Sequence, residues 1–533
     1  MTALWELSAT AAAELLCRGE ISSVELTESC IARAQVIQPL VHAYITPTFE
    51  HARNEAVRAD AMRRRGEGGS LCGIPYAVKD TYFTADIPTT AGSRAPLNRP
   101  LGEEATIVTR MRAAGAVLMG KLNTWEFGTG TGEILPDLPY PIARNPWDPR
   151  YFTGGSSSGC GAVVPAGGAL LAFGSDTGGS IRYPAAACGL IGLKPTYGRV
   201  SRAGLLPNSY SLDVAGPLGW TTSDCAHALQ AVAGRDPRDP VSTERSPDDF
   251  TASLENVSPG LRIGLLTDCF EPGMTVDADI ARALDAAADC LRALGFMIVP
   301  VHLPHDRLIF RDCMRVINSC ESAAIHRDLY AEWQGLMGRA LKDKIVGGLQ
   351  IAGVDYVTAI RWRRTLSDAV SSILADVDAI LTFGTTTSPP PLDDARAVHR
   401  FTLDSNMAMA SVSGHPALSF CTGLASSGLP LNAQLIGRHF AEGTLLMISH
   451  AYETATNWRP AKPVLLSGTA EFAASPAPGP DTPQQDHVRA DAMRRSLDAS
   501  ITRLGPAPRS AEPQHIPVFT PGPQGPRLQE PTP

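Results

Sequence analysis

The 533-residue sequence has no Cys-x-x-Cys pair and no zinc-finger spacing among its 11 cysteines. That absence argues against a structural zinc site, and the odd, scattered count argues against a disulfide framework, so reduced and mostly buried thiols in a cytoplasmic protein are expected. Basic charge is also scarce. The formal net charge is -8, and the one dense basic run is Arg63, Arg64 and Arg65, which reads as a solvated helix end and gives no long-range pull on nucleic acid. The opening segment lacks a basic start followed by an unbroken apolar run, because Glu6 and Glu14 interrupt it; export is not expected, and nothing in the composition suggests a membrane protein. No repeat of solenoid period is present. What is there is ordinary for a soluble chain, 44% hydrophobic and 19% charged, with length enough for one large domain or up to about three smaller ones.

The opening third alternates helix and strand signals. Ser22 with Glu25 three residues on forms a capping-box pattern ahead of Val24, Leu26, Cys30 and Ile31 at helical spacing. "GIPYAVKD" is a short apolar run closed by charge, which predicts a buried strand ending at Lys79. "EEATIVTRMRAAGAVLMGK" predicts a helix stopped at Gly115 and a strand from Ala116 to Met119. The same unit recurs where Ile280, Leu284, Ala287, Leu291 and Leu294 make one helical face, Gly295 ends it and "FMIVPV" supplies a strand. Residues 306 to 372 read as largely helical and "DAILTF" as another buried strand. This grammar predicts an α/β fold with a large mixed, mostly parallel sheet flanked by helices on both faces. After about residue 464 proline dominates, so a packed domain over 1–464 and a Pro-rich, disordered tail over 465–533 are expected. Within that tail "VRADAMRR" at 488 to 495 repeats residues 57 to 64 letter for letter; a short helix in both places is the plain expectation.

The most unusual stretch is "GGSSSGCGAVVPAGGALLAFGSDTGGSIRYPAAACGLIGLKPT". Its glycines permit positive φ and close backbone approach, its serines supply nucleophiles and relay hydroxyls, and the apolar runs between them imply burial instead of a linker. "GSSSG" matches a nucleophile elbow centred on Ser157, but "RNPWDPRYFT" before it, with two prolines, makes a poor central strand. "GAVLMGKL" resembles a phosphate loop but ends in Leu122 where a hydroxyl is needed, and "GTGTG" at 128 to 132 has no strand before it; both read as structural. His302 and His305 flank Pro304, which predicts a loop and no metal site. His415 is the best histidine base, yet it stands beside Pro416, where a satisfied or exposed ring is expected. That leaves a lysine as the proton acceptor, with burial near positive charge or helix N-termini lowering its pKa. No metal and no cofactor are expected.

These residues resemble the amidase signature family of serine hydrolases, whose base is a lysine. The likeness lies in "GIPYAVKD", "GGSSSG" and "GSDTGGSIRYPA", and extends through "GKLN", "RNPWDP", "GLKPTYGRVS", "SLDVAGPL", "SGHPALSFCTG" and "GLPLNAQLIGRHF", over roughly residues 4 to 464. The resemblance implies the family's fold and assigns Lys79 as terminal base, Ser156 as a bridging serine after a cis peptide, and Ser180 as nucleophile. The separation 180 − 156 = 24 matches the family's loop spacing. It further implies an oxyanion hole from the N–H groups of Thr177, Gly178, Gly179 and Ser180, with Ser157, Asp176 and Arg182 in support. The implied activity is hydrolysis of a carboxamide-type C–N bond (amide, anilide or carbamate) through an acyl-enzyme, releasing carboxylate and amine or ammonia, with ester or urethane cleavage as a side activity. The implied partner is a small-molecule amide, and a homodimer is compatible with it.

Two other assignments compete. The glutaminase-type subunit of a glutamyl-tRNA amidotransferase is disfavoured because "GKLNTWEFGTG" lacks that subunit's "DEFAMG"-like pattern. An allophanate-hydrolase-like enzyme is suggested by a third serine, Ser158, but "DTGGSIR" differs from the "TAGSGR" type; Cys421, in place of a common proline, bears on substrate alone. A non-catalytic scaffold is disfavoured because all three catalytic residue types are present. Segments 125–143 and 305–365 are expected to line the substrate funnel, where Trp125, Phe127, Tyr140 and Trp147 point to an apolar or aromatic substrate.

Overall fold

Ser22 and Glu25 close the capping box that their spacing predicts. The Ser22 N–H donates to Glu25 Oε2 (2.7 Å) and the Glu25 N–H to Ser22 Oγ (3.1 Å), starting the Ser23–Val41 helix. The chain is described here from a computed structural model that covers residues 3–97, 102–130, 137–255, 260–266, 275–456, 462–463, 465 and 483–508. Within it the strands are β1 (Tyr44–Pro47), β2 (Pro75–Lys79), β3 (Val117–Leu122), β4 (Leu171–Asp176), β5 (Ile191–Lys194), β6 (Val214–Gly219), β7 (Arg262–Leu266), β8 (Met297–Val301), β9 (Ala379–Thr382), β10 (Ala417–Leu424) and β11 (Pro430–Gly437). They form one 11-stranded sheet in the order β1-β3-β2-β4-β6-β5-β10-β11-β9-β7-β8.

Every residue of β2, β3 and β4 is buried, as befits strands covered by helices on both faces and built from near-continuous apolar runs. The sheet is mixed. Parallel pairing is confined to β3-β2-β4 and β9-β7-β8, and the centre from β4 through β6, β5, β10 and β11 to β9 is antiparallel. The expected predominance of parallel strands therefore holds only at those two places. A helix crossover such as Thr106–Ala113 returns the chain parallel from β2 to β3, whereas the short turn between β10 and β11 forces an antiparallel pair. The helical expectation for 306–372 is met by Arg307–Trp333, Arg339–Leu349 and Gly353–Asp376. No helix among the described residues is long and apolar enough to cross a membrane.

The C-terminal expectation needs correction over one segment. Residues 483–504 form the Pro483–Leu504 helix, and it packs on the Arg307–Trp333, Arg339–Leu349 and Gly353–Asp376 helices. Leu497, Ser500 and Leu504 are buried. Spaced at i, i+3 and i+7, they make a stripe that the surrounding prolines mask when composition is averaged over the whole tail. The other tail residues, 466–482 and 509–533, lie outside the described residues. Both copies of "VRADAMRR" are helical, the first inside Phe49–Arg64 and the second inside Pro483–Leu504.

Candidate active site

Lys79 ends β2 with its side chain fully buried. Its Nζ donates to Ser156 Oγ at 2.6 Å and to Ser175 Oγ at 3.0 Å. Burial lowers the Lys79 pKa to about 8, against the opposing pull of Asp213 and Asp176; removing an ammonium from water disfavours its charged form. The Gly155–Ser156 peptide is cis. Ser157, next in sequence, is fully buried, and its Oγ donates to the Ser175 carbonyl at 3.3 Å. It therefore does not stand exposed on an elbow, and no strand runs directly into it among the described residues.

Ser180 sits in the turn between β4 and the Arg182–Cys188 helix, half-buried, on the wall of a cavity of about 320 Å³ that Thr177 and Gly178 also line. Asp176 organises this turn from beneath. Its Oδ1 accepts the Gly179 N–H at 2.7 Å, its Oδ2 accepts the Ile181 N–H at 3.2 Å, and both oxygens accept from the Arg182 guanidinium at 3.0 Å. Burial pushes the Asp176 carboxyl up, but Arg182 and the backbone amide outweigh it and its pKa falls below the usual carboxylate range. Arg182, with no exposed surface, also donates to the Met407 carbonyl, Gln434 Oε1 and Ser411 Oγ at 2.7–2.9 Å. Gly179 has φ +129°, and a Cβ there would meet the Tyr183 ring at 2.4 Å; a left-handed φ and that close approach both require glycine.

One expectation for the oxyanion loop changes. The Gly179 N–H is taken by Asp176, so it braces the turn and does not point at the cavity, which leaves Thr177, Gly178 and Ser180 as the candidate donors. Thr177 Oγ1 donates to Asp213 Oδ1 (2.5 Å) and accepts from Asn208 Nδ2 (3.2 Å). Asn208 Oδ1 in turn accepts from Lys344 Nζ at 2.7 Å, and Lys344 also reaches Asn318 Oδ1 at 2.9 Å. Burial lowers the Lys344 pKa to about 7, and it raises that of Asp213 against the Thr177, Ser209 and Asn208 donors.

Sequence reasoning passes over Ser175, Asn208, Asp213 and Lys344. Ser175 has a signal, since it lies next to Asp176 on the same strand; Lys344 has none, because a lysine on an amphipathic helix reads as solvated. "GTGTG" is not a mere structural turn: Gly128 and Gly130 line the cavity, Thr129 donates to Asn208 Oδ1 at 3.0 Å, and positions 131 and 132 lie outside the described residues. Of the four aromatic residues singled out, Trp125 lines the cavity. Phe127 is buried against His326, Tyr140 lines a space of about 60 Å³ that shares Trp125 and Gly130 with the cavity, and Trp147 donates to the Cys188 carbonyl at 2.9 Å.

The competing motifs are accounted for by local structure. Lys121 of "GAVLMGKL" is buried in β3 and pairs with buried Asp80 at 3.0 Å. His415 is buried, not exposed, and stacks on His439 at 3.8 Å; burial, His439 and Lys194 hold its pKa down to about 2. No group of three or more metal-ligating side chains occurs among the described residues.

Comparison with known proteins adds a second line of argument. A family model described as Amidase matches residues 25–446. A glutamyl-tRNA(Gln) amidotransferase subunit from Chloroflexus aurantiacus is 38% identical over 498 residues, spanning 87% of this chain and 100% of that protein. Among solved structures, peptide amidase from Stenotrophomonas maltophilia superposes with TM-score 0.75 at 31% identity, over 86% of this chain and 98% of that one. A chain from a vestigial protein complex linked to the origins of an s-triazine catabolic enzyme gives TM-score 0.77 at 31% identity, over 86% and 100%. With most of its length matched and whole relatives aligned at this identity, the chain belongs to the amidase family of enzymes acting on C–N bonds.

Proposed function

We propose that the chain hydrolyses a carboxamide through an acyl-enzyme on Ser180, with Ser156 relaying the proton to Lys79. The observation that carries this reading is the 2.6 Å contact between Lys79 Nζ and Ser156 Oγ, with Gly155, the residue before Ser156, lining the same cavity as Ser180. With its pKa lowered to about 8, an appreciable share of Lys79 is neutral near neutral pH. The same contact then runs in reverse, Ser156 O–H donating to the amine lone pair. Ser156 takes the proton of Ser180, whose Oγ attacks the carbonyl carbon, and the tetrahedral oxyanion accepts from the amides of Thr177, Gly178 and Ser180. Each such donor is worth about 10²–10³ in rate. The relay returns its proton to the leaving nitrogen, the C–N bond breaks, and water entering by the same route releases the carboxylate.

The carboxamide has two candidate identities. Glutamine, hydrolysed to supply ammonia inside an amidotransferase complex, is favoured by the curated relatives, whose identity over their whole length outweighs the missing "DEFAMG"-like pattern. Under that reading a protein partner is needed. A free-standing amidase is favoured by the likeness to peptide amidase and by Trp125 in the cavity wall. The deciding experiment measures ammonia release from glutamine beside product release from a panel of amides, anilides, carbamates and esters. Glutamine turnover alone selects the first identity, turnover of apolar amides without glutamine the second, and no turnover of any carboxamide rejects the proposed chemistry.

A further inference from the structure

The family match ends at residue 446, yet the Ser180 cavity is also lined by Arg489, Ala492, Met493 and Ser496, which belong to the Pro483–Leu504 helix. We propose that this helix is the outer wall of the substrate cavity, and that Met493 and Ala492 are specificity-determining residues limiting the apolar group carried by a neutral carboxamide. The inference rests on Ser180 being the reacting residue.

The helix is held by directed contacts at several points. Arg315 Nη2 donates to Ser496 Oγ at 2.7 Å, Ser500 Oγ donates to Asp312 Oδ1 at 3.0 Å, and Arg503 Nη2 donates to the same oxygen at 2.9 Å. Asp312 has no exposed surface, so without Ser500 and Arg503 a buried carboxylate would lose partners that oppose its desolvation. The Trp362 Nε1–H donates to the Leu504 carbonyl at 2.7 Å, and Arg489 Nε lies 3.5 Å from Asp343 Oδ2. The facing helix is shaped to receive it: a Cβ at Gly347 would stand 2.9 Å from both Leu497 Cδ1 and Met493 Cγ. Glycine there lets the two helices approach closely enough for Met493 to reach the cavity.

The chemistry of the lining sets the class of ligand. Trp125, Met314, Leu403 and Met493 contribute apolar surface, and Met314 reaches the oxyanion loop, since a Cβ at Gly178 would meet its Sδ at 2.8 Å. The lysine and arginine side chains around them are engaged with protein partners: Lys344 with Asn208 and Asn318, Arg315 with Ser496, Arg489 with Asp343. A neutral carboxamide with an apolar body suits such a lining, and unbranched methionine side chains adapt to its outline.

The test uses the full-length chain and a series of alkyl fluorophosphonates of increasing chain length, with labelling of Ser180 followed by intact mass and peptide mapping. Met493→Trp and Ala492→Trp are expected to slow labelling by the longest reagent at least tenfold while the shortest stays within twofold. Met493→Ala is expected to raise the long-to-short ratio several-fold. A ratio that stays within twofold in all three variants, or label found on another residue, overturns the inference. A chain ending at residue 482 extends the test if it folds, and the point variants decide the matter if it does not. Steered ratios with no carboxamide turnover by the unaltered chain would sink the proposed reaction and leave the wall standing; flat ratios with turnover intact would sink the wall alone.

Discussion

The cavity has a floor and a wall built on different terms. Beneath the lining residues Thr177, Gly178 and Ser180 lies a floor of Lys79, Ser156, Ser157, Asp176 and Arg182, all buried, in which Lys79 bonds Ser156, Arg182 bonds Asp176, Asp176 accepts the Gly179 amide and Ser157 donates to the Ser175 carbonyl. The wall is carried by the Arg307–Trp333, Arg339–Leu349 and Pro483–Leu504 helices, and several of its side chains, Met314, Met493 and Ser496 among them, are only half-buried. In the floor every polar atom removed strands a partner away from water, where an unsatisfied group is expensive. At the half-buried wall positions water can replace a lost contact. The first region is thus suited to fixed chemistry and the second to change of substrate without loss of the reaction.

Substitutions graded from floor to wall test that contrast. Ser180→Ala should give the largest effect, lowering turnover of any amide by a factor on the order of 10⁴ or more while circular dichroism and melting stay close to those of the unaltered chain. Lys79→Ala should lose orders of magnitude and also the rising limb of the pH profile. Under the proposed relay neutral Lys79 is the active form, and its fraction grows as pH increases, so activity should climb from acid conditions with a midpoint near its pKa of about 8; a profile unchanged in Lys79→Ala would remove it from the relay. Arg182→Ala leaves Asp176 charged and buried without its guanidinium, which should lower unfolding free energy by about 3–5 kcal/mol in denaturant titration. Gly347→Ala, on the wall side, should push on Met493 and Leu497 and alter selectivity among amides of different length more than it alters the rate on the shortest. The smallest contrast uses the twin octapeptides. Asp60 caps the Ser23–Val41 helix by accepting the Ser23 N–H at 2.7 Å, so Asp60→Ala should lower stability by about 1 kcal/mol, whereas the matching Asp491 is exposed and Asp491→Ala should stay within about 0.5 kcal/mol.

The same division governs what the sequence makes legible. Lys79 at the end of an apolar run, the Ser22–Glu25 box and the Gly/Ser loops are local signals, because strand burial, capping and positive φ each act over a few residues. The strand and loops of the floor are therefore readable from local pattern, while the roles of Lys79, Ser156, Ser157, Asp176 and Arg182 come only with the family resemblance, and neither source marks Ser175 or the engagement of the Gly179 amide by Asp176. Lys344, Asn208 and Asn318 meet across long stretches of chain, and nothing in their neighbours announces the meeting. The Pro483–Leu504 helix is hidden differently. Its stripe from Met493 through Leu497 to Leu504 is helical, but it lies between proline-rich flanks, and a compositional average over the tail weighs the flanks more than the stripe. The repeated "VRADAMRR" carries a similar lesson: identical letters fold alike, but the surfaces they meet decide whether Asp60 caps a helix or Asp491 faces solvent.

The bonds from Arg182 to the Met407 carbonyl, Ser411 and Gln434 join positions 225 to 252 residues apart. While the polypeptide is being synthesised, the turn that carries Ser180 leaves the ribosome long before those partners exist. An unfinished chain thus holds the Ser180 hydroxyl without the brace that shapes the surrounding amides, and under the proposed reaction a formed site has to await synthesis past Gln434.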